Sequence, residues 1–425
     1  MGYVAVTAGE EIIERAEQLF EKQRIDGQET DISVDQLDGQ LGRLTAQAMS
    51  EGGLYAPRLA ALAVKQAQGD TVEAAFLLRA YRSTLERFDE TVPVEPSEML
   101  ASRRVSPAFK DVPGGQILGP TKDYTQRLLD FDLIEGDSKD PTADWETTEG
   151  SDPDNADDPE KLTNVMELLR EEGLIDEPDE PDELAVDEPI EPTDTTREPV
   201  THPPDRDAVL QELARGETGA VTALGYSALR GYGQVHPTLA EVRVGRLPVT
   251  IEHPYTGDEV TVTHTEVSES EAIVPVYAKR DDPQFAFGYG LTFGRNERKA
   301  IGMTILDASI QLDGVTEPAE NPEFVLDVVD GMDSFGFIEH LKLPHYVTFQ
   351  STLDRIRSIR ERKGVGQTGQ VDTEIRDDGS DDDSGNDGSA SGSSDPDCGH
   401  DDPDSAVDEP TPDEEPVVAE VSDDD

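Results

Sequence analysis

Three stretches of the chain hold residues whose types and spacing suit chemistry. The first is Arg103-Arg104-Val-Ser-Pro-Ala-Phe-Lys110-Asp111-Val-Pro-Gly114-Gly115-Gln-Ile-Leu-Gly119-Pro120-Thr121-Lys122-Asp123-Tyr124. Four cations beside glycines that expose backbone N–H groups form an anion-binding concavity. The same residues also suit a surface turn closed by ion pairs. Gly114 and Gly119 have the spacing that opens a P-loop, but Pro120 stands where that motif needs its lysine, so a Walker site is excluded. The second stretch is Arg295-Asn-Glu297-Arg298-Lys299, following Gly288-Tyr289-Gly290 and Gly294. Glycines before a helix start favour a bound phosphate, and cations there oppose the helix dipole unless an anion joins them. The glycine spacing misses the dinucleotide fingerprint by one residue, so neither nicotinamide nor flavin is implied. The third stretch, His340-Leu-Lys342-Leu-Pro344-His345, is the only close pair among 7 histidines. Two imidazoles do not complete a tetrahedral zinc shell. Either the site is open, another side chain or subunit finishes it, or the two histidines are unlinked. His236, His253 and His264 are isolated and take no function.

The elements that must position these residues follow from periodicity. A short strand is expected over 3–8, then a helix opened by Gly9 with Ile12, Ile13, Ala16, Leu19 and Phe20 on its apolar face. One helix through Leu37, Leu41, Leu44 and Ala48 should stop left-handed at Gly52-Gly53. Another carries Leu59, Leu62 and Ala63 and ends at Gly69; Asp70 then caps a helix that buries Val72, Phe76, Leu77 and Ala80. From Pro93 to Pro120 the pattern predicts a long shaped loop, followed by a short helix over Tyr124 to Phe131. After the acidic insert, helices are expected near Val209 to Leu213 and Ala220 to Leu229, with Arg230-Gly231-Tyr232-Gly233 as a C-terminal cap. Strand runs follow at Glu241–Val244, Val249–Glu252, Val260–Val267, Ala272–Tyr277 and Phe285–Phe293, and a helix over Arg295–Gln311. Alternation at Val260, Val262 and His264 predicts antiparallel pairing with one wet face. The fold class is α+β: a helical N-terminal region at 1–132 and a mixed helix and antiparallel-strand region at 206–362, with a largely disordered acidic insert at 133–205 and a disordered acidic tail at 363–425.

Charge bounds the partners. The 425 residues carry 94 acids against 35 bases, a net charge of −59, and only 10 of the bases are lysine. Residues 131–200 hold 26 acids and 4 bases, and residues 371–425 hold 22 acids and 1 base, too apolar-poor to offset ordering entropy apart from one helix at Leu162–Leu174. A carboxylate-rich, lysine-poor surface stays hydrated where salt screens repulsion, so a salt-rich cytoplasm is the expectation; an ordinary acidic protein with acidic tails has the same composition. Nucleic acid is excluded as a nonspecific partner by the like charge of its phosphates. The single cysteine, Cys398, lies in the tail, and neither disulfides nor a thiolate metal cage follow. With no apolar run long enough for a membrane span, a soluble cytoplasmic protein is expected.

At these same residues the chain resembles a known family. The order Glu51-Gly52-Gly53, Ala61-Leu62-Ala63-Val64-Lys65-Gln66-Ala67, Phe76-Leu77-Leu78-Arg79-Ala80-Tyr81-Arg82, Lys110-Asp111-Val112-Pro113-Gly114-Gly115-Gln116 and Leu118-Gly119-Pro120-Thr121 is similar to subunit I of the bacterial carbon-phosphorus lyase complex. Later strings continue it: Arg230-Gly231-Tyr232-Gly233 with His236-Pro237, Gly288-Tyr289-Gly290-Leu291, Glu297-Arg298-Lys299-Ala300, and His340-Leu341-Lys342-Leu343-Pro344-His345-Tyr346-Val347. The acidic insert and tail depart from the family pattern.

The resemblance implies a cytoplasmic subunit of a phosphonate-degrading assembly, with a radical-SAM lyase subunit among its partners. With those companions the family displaces adenine from ATP, carried with Mg, by methylphosphonate, giving ribose 1-methylphosphonate 5-triphosphate. Alone it is associated with nucleosidase activity on purine nucleoside triphosphates. It also implies zinc on His340 and His345, completed at a subunit boundary. Such chemistry passes through an oxocarbenium-like state and needs anion sites and a proton for the base. Arg104, Lys110, Lys122, Arg127, Arg295, Arg298 and Lys299 are the candidates for the anions, and Asp111, Asp123 and Glu297 for acid or cation-stabilising roles. The competing class is a non-catalytic scaffold with those loops as interface anchors.

Overall fold

The structure is a computed structural model that describes residues 9–25, 31–131, 134, 164–175, 192–232, 237–276, 283–311 and 317–365. The strand expected over 3–8, His236, Cys398 and nearly all of the tail lie outside these residues. Helices α1 (Glu10–Arg24), α2 (Val34–Gln40), α3 (Gly42–Gly52), α4 (Pro57–Gln66) and α5 (Thr71–Arg82) open the chain. Strand β1 (Leu100–Val105) and α6 (Val165–Glu171) precede α7 (Arg206–Arg215) and α8 (Thr218–Ser227). Then come β2 (Thr238–Glu252), β3 (Glu259–Val276), β4 (Gln284–Phe293), α9 (Glu297–Ile310), α10 (Pro322–Val329), α11 (Gly331–His340) and α12 (Tyr346–Arg362). The α+β class is borne out. Residues 1–350 form one compact unit, and a second begins at Ser351, inside α12. Among the described residues no helix is long and apolar enough to cross a membrane.

The local signals of the N-terminal helices act as their chemistry predicts. Gly53 takes φ +60°, the left-handed stop of α3, and the Asp70 carboxylate accepts from the N–H groups of Val72 at 3.0 Å and Glu73 at 3.1 Å. Three expectations need correction. The helix through Leu37 to Ala48 is two helices, broken at Leu41 with φ −115° and ψ 36°. Helix α5 buries Ala74, Ala75 and Leu78 rather than Val72, Phe76, Leu77 and Ala80, because it packs on α3 at Gly52, where a Cβ would lie 2.8 Å from that of Leu78. Helix α1 forms but buries none of its residues; Ile12 is 72% exposed.

The sheet is antiparallel in the order β1-β2-β3-β4. Two expected strand breaks are absent. Ser268-Glu269-Ser270-Glu271 reads as a hydrophilic interruption, yet it is buried inside one continuous β3, and β2 runs through Gly245 and Pro248. Strand β1 falls within the segment predicted as loop, because its alternating residues are Arg103 and Arg104 rather than apolar. Val260 and Val262, 41% and 55% exposed, sit where only β2 and β3 pair, so their alternation has no buried face.

Helix α9 packs on one face of the sheet and is buried along almost its whole length, from Lys299 to Ser309. Gly288 and Gly290 of β4 make that approach possible: a Cβ on Gly290 would lie 2.4 Å from Ala300 O and 2.8 Å from Thr304 Oγ1. The opposite face is covered by α6, whose Val165, Met166 and Leu169 meet Ala240 and Ile273. Helices from both sides of the acidic insert interlock beneath α9, where Arg79 donates to Glu51 O and Arg215 O, each at 2.9 Å, and Thr218 N–H donates to Glu51 Oε1 at 3.0 Å. Close approach at Gly290 therefore sets a stability test. Gly290→Ala should cost about 2 kcal/mol or more by overpacking against backbone, whereas Gly39→Ala in α2, with nothing within 4 Å, should gain about 0.5 kcal/mol. Urea unfolding midpoints at unchanged m-value check both.

Candidate functional site

Consecutive residues of a strand point to opposite faces, so Arg103 and Arg104 reach opposite sides of β1. Arg104 is fully buried, ion-paired with Glu241 of β2, and donates to Pro113 O at 2.5 Å. The backbones of Arg104 and Ile117 exchange two hydrogen bonds of 2.8 Å, folding the segment after β1 back along it. Gln116 holds the interior of that loop, accepting from Ser106 N–H at 2.9 Å and donating to Phe109 O at 3.1 Å. Gly119, at φ +62°, passes where a Cβ would lie 2.6 Å from Ser102 O. Lys110 and Asp111 are left exposed on this loop, and Lys122 and Arg127 are exposed on the irregular chain that follows it.

Arg103, counted among the four cations of the loop but not among the residues chosen for the anions, is the centre of the arrangement. Its buried guanidinium pairs with Asp123 at 2.5 Å and Glu297 at 2.6 Å and donates to Leu118 O at 2.8 Å. Arg295 donates to Pro120 O. The two cationic segments, far apart in sequence, thus meet around one buried arginine. Beside Arg295 opens a recess of about 680 Å³ lined by Gln40, Arg43, Gln47 and Glu266. Asp123 is held below the usual carboxylate range by the Thr121 hydroxyl and then by Arg103, so it stays ionised. Arg298 is exposed, one position after Glu297.

Two expected anion-binding residues are occupied inside the protein. Arg104 is committed to Glu241, and Lys299 donates from a fully buried Nζ to Ser50 Oγ at 2.7 Å and Ala214 O at 2.6 Å. Burial lowers the Lys299 pKa to about 7. Gly288 and Gly290 lie against α9 rather than a phosphate, and the helix expected over Tyr124 to Phe131 is irregular chain with Leu129 82% exposed.

The histidine pair does converge. His340 ends α11, His345 precedes α12, and their ring centroids lie 4.9 Å apart. Each Nδ1 faces a backbone carbonyl, Phe337 O for His340 and Leu343 O, at 2.6 Å, for His345. A carbonyl only accepts, so each Nδ1 carries a proton, and Nε2 is the ring nitrogen left to face a metal. Among the described residues no group of three or more His, Cys, Asp or Glu side chains forms a complete metal site. The pair borders a cleft of about 700 Å³ between α5 and α11, lined also by Val72, Phe76, Met332 and Phe335.

A second feature escaped the sequence reading. On the sheet face under α6, three buried carboxylates, Glu241, Glu269 and Glu271, share two buried guanidiniums, Arg104 and Arg243. Tyr289 donates its hydroxyl to Glu269 at 2.9 Å, and Asn164 donates its amide to Glu271 at 3.0 Å. Burial and then the neighbouring Glu269 push the Glu271 pKa up to about 8. The signal was present in the Ser-Glu-Ser-Glu alternation, which has a strand's period but the wrong polarity for a core.

Comparison with known proteins identifies the family. The family model described as bacterial phosphonate metabolism protein (PhnI) matches residues 2–363. HtxH of Stutzerimonas stutzeri, a protein assigned as a C-P lyase subunit, is 46% identical over 369 residues, covering 85% of this chain and 97% of that protein. The protein named alpha-D-ribose 1-methylphosphonate 5-triphosphate synthase subunit PhnI from Rhizobium meliloti is 43% identical, covering 87% and 98%. Its namesake from Escherichia coli is 40% identical, covering 86% and 100%. On a match of that length and identity, the chain belongs to the PhnI family of phosphonate metabolism proteins.

Proposed function

We propose that this chain is the nucleotide-holding subunit of a carbon-phosphorus lyase synthase, which with companion subunits displaces adenine from ATP by methylphosphonate to give ribose 1-methylphosphonate 5-triphosphate. The names of the Rhizobium meliloti and Escherichia coli relatives support the product, and one observation carries the site: the joining of both cationic segments at Arg103. In this reading Lys110, Lys122, Arg127, Arg295 and Arg298 hold the triphosphate, with its Mg, and the phosphonate. Arg104 and Lys299 act from inside, fixing the loop and the start of α9. Asp123 and Glu297 orient Arg103 and, as carboxylates, offset positive charge growing on the sugar; Asp111 sits beside Lys110 in the same loop.

As the C1′–N9 bond breaks, its electron pair goes to adenine, and a phosphonate oxygen attacks the oxocarbenium carbon. Water in place of phosphonate gives the nucleosidase reaction, a transferase acting on the simplest acceptor. In a salt-rich cytoplasm only contact-distance pairs escape screening, which suits cations at the margin of a recess. His340 and His345 fit zinc as neutral imidazole donors, with the remaining ligands supplied by a partner, the radical-SAM subunit in this proposal. The metal would supply Lewis acidity and structural cross-linking at that boundary.

The scaffold reading has its own support. Around the histidine pair Phe337 and Ile338 are each 65% exposed and Phe349 is 56% exposed, an apolar surface suited to a partner chain. Incubation of the purified chain, and of the assembled complex, with ATP separates the two by free adenine. Lys110→Ala and Arg298→Ala should each lower kcat/KM about tenfold or more, since a hydrogen bond to a charged group is worth about 1.5–3 kcal/mol. No adenine even with every companion leaves the scaffold. For the metal, His345→Ala should remove most zinc from the assembled complex while changing the isolated chain little; equal zinc in the mutant complex contradicts the assignment.

A further inference from the structure

The recess beside Arg295 lies on the Arg103 side of the sheet. Successive side chains of β3 alternate in face, so with Glu269 and Glu271 under α6, Glu266 and Ser268 point to the face that carries α9 and Arg103. Arg295 joins recess and junction directly: it lines the recess and donates to Pro120 O, in the same loop as Leu118, whose carbonyl accepts from Arg103. Its backbone is fixed from behind. Buried Ser268 accepts from Asn296 N–H at 2.8 Å and donates to Gly294 O at 2.9 Å, and Gly294, at φ +68°, lets α3 come so close that a Cβ there would lie 2.6 Å from that of Ala46. That approach brings Arg43 and Gln47 of α3 to the recess wall.

What distinguishes the recess is charge that the chain leaves unspent. Arg103, Arg104 and Arg243 are paired inside the protein. Gln47 is committed as well, its amide donating to Glu51 and Thr71. Arg43 and the Glu266 carboxylate, by contrast, have no hydrogen-bond or ion-pair partner among the described residues, and the Arg295 Nε is buried without one. Glu266 is half-buried, and a carboxylate withdrawn from water without a donor carries a cost that the O–H groups of a ligand would offset. Two guanidiniums and one carboxylate leave the recess with net positive charge, so the complementary ligand is an anion that also bears hydroxyls. A bare phosphate would set like charge against Glu266, whereas a sugar phosphate satisfies both signs. At about 680 Å³ the space is of nucleotide size.

We propose that this recess is the ribose 5-triphosphate subsite of the chain, in which the Glu266 carboxylate accepts from the ribose hydroxyls while Arg43 and Arg295 hold phosphate oxygens. The inference rests on the synthase reading and adds to it two substrate contacts, Glu266 and Arg43, that lie outside both cationic segments. Glu266 is then a specificity-determining residue: it favours a nucleotide over free polyphosphate, which the arginines alone would hold.

Equilibrium binding of ATP and of inorganic tripolyphosphate to the assembled complex, without divalent metal and at fixed ionic strength, tests the assignment. Tripolyphosphate has the anionic tail of the nucleotide and none of its hydroxyls. Glu266→Ala should lower the preference for ATP over tripolyphosphate about tenfold or more, the worth of a hydrogen bond to a charged group. Tripolyphosphate itself should bind that variant no more weakly than wild type, because a negative charge has gone. Arg43→Gln should weaken both ligands about tenfold and leave their ratio within about threefold of wild type. Neither side chain has a partner among the described residues, so both variants should keep the wild-type circular dichroism and assembly. An unchanged ratio in Glu266→Ala, a weaker hold on tripolyphosphate in that variant, or unaltered binding in Arg43→Gln would overturn the proposal. Adenine release is read separately: a wild-type complex with this binding pattern that frees no adenine defeats the synthase reading and leaves the subsite standing.

Discussion

Everything that positions the candidate site depends on two adjacent arginines in a six-residue strand. Because side chains alternate across a pleat, Arg104 anchors the sheet to Glu241 and the returning loop, and Arg103 anchors the opposite side to Asp123 and Glu297. Breaking a buried pair by removing one partner costs about 3–5 kcal/mol, because the other charge is left stranded. Such pairs contribute less to net stability than to uniqueness: a one-residue slip of β1 would exchange the two arginines and strand five charges at once. The register of β1 against β2, with Arg104 opposite Arg243, is thus specified by charge where most sheets specify it by apolar pattern.

That substitution of charge for hydrophobicity explains what the sequence did and did not disclose. Elements governed by local chemistry were legible: the Asp70 cap, the Gly53 stop, and α9, whose apolar residues cluster because it is buried on nearly every side. Strand β1 and the middle of β3 were illegible for one shared reason. Their inward residues are Arg104, Glu269 and Glu271, and a periodicity search for apolar residues reads them as loop. The site was legible in residue type and obscure in partnership. Lys110 and Asp123 were found as loop residues and Glu297 and Arg298 at a helix start, but the guanidinium that joins Asp123 to Glu297 lies in an unpredicted strand. Arg104 and Lys299 look like surface cations in sequence and are core residues in three dimensions. His340 and His345 were visible as a pair, though the carbonyls that hold each Nδ1 depend on the turn around Pro344.

The distribution of charge also bears on the environment. With a net charge of −59, few cations are available, and several of the arginines sit inside. In strong salt the Debye length shrinks to about 3 Å at 1 M, so a surface cation attracts a distant anion hardly at all. Buried pairs are screened far less. An acidic protein in such a medium therefore keeps its structural electrostatics under cover, as the pairs of Arg103 and Arg104 are here.

Asp123 and Glu271 show how one functional group serves two roles in one chain. The Thr121 hydroxyl and then Arg103 hold Asp123 low, so it stays ionised at neutral pH. Glu271 is driven the other way by burial and by Glu269, so it keeps a proton at neutral pH. Folding pays for the second choice in pH dependence. A carboxyl whose folded pKa is raised to about 8 from 4.5 contributes stability that is complete below pH 4.5 and lost as pH rises toward 8. Asp123 contributes in the opposite sense, its share being lost as pH falls below the ordinary carboxylate range. A fold selected for stability alone would replace Glu271 with an apolar residue and recover that loss. One Glu271 oxygen accepts from Asn164 and the other has no hydrogen-bond partner among the described residues, so its ionisation would set a second carboxylate charge beside Glu269 in a dry site.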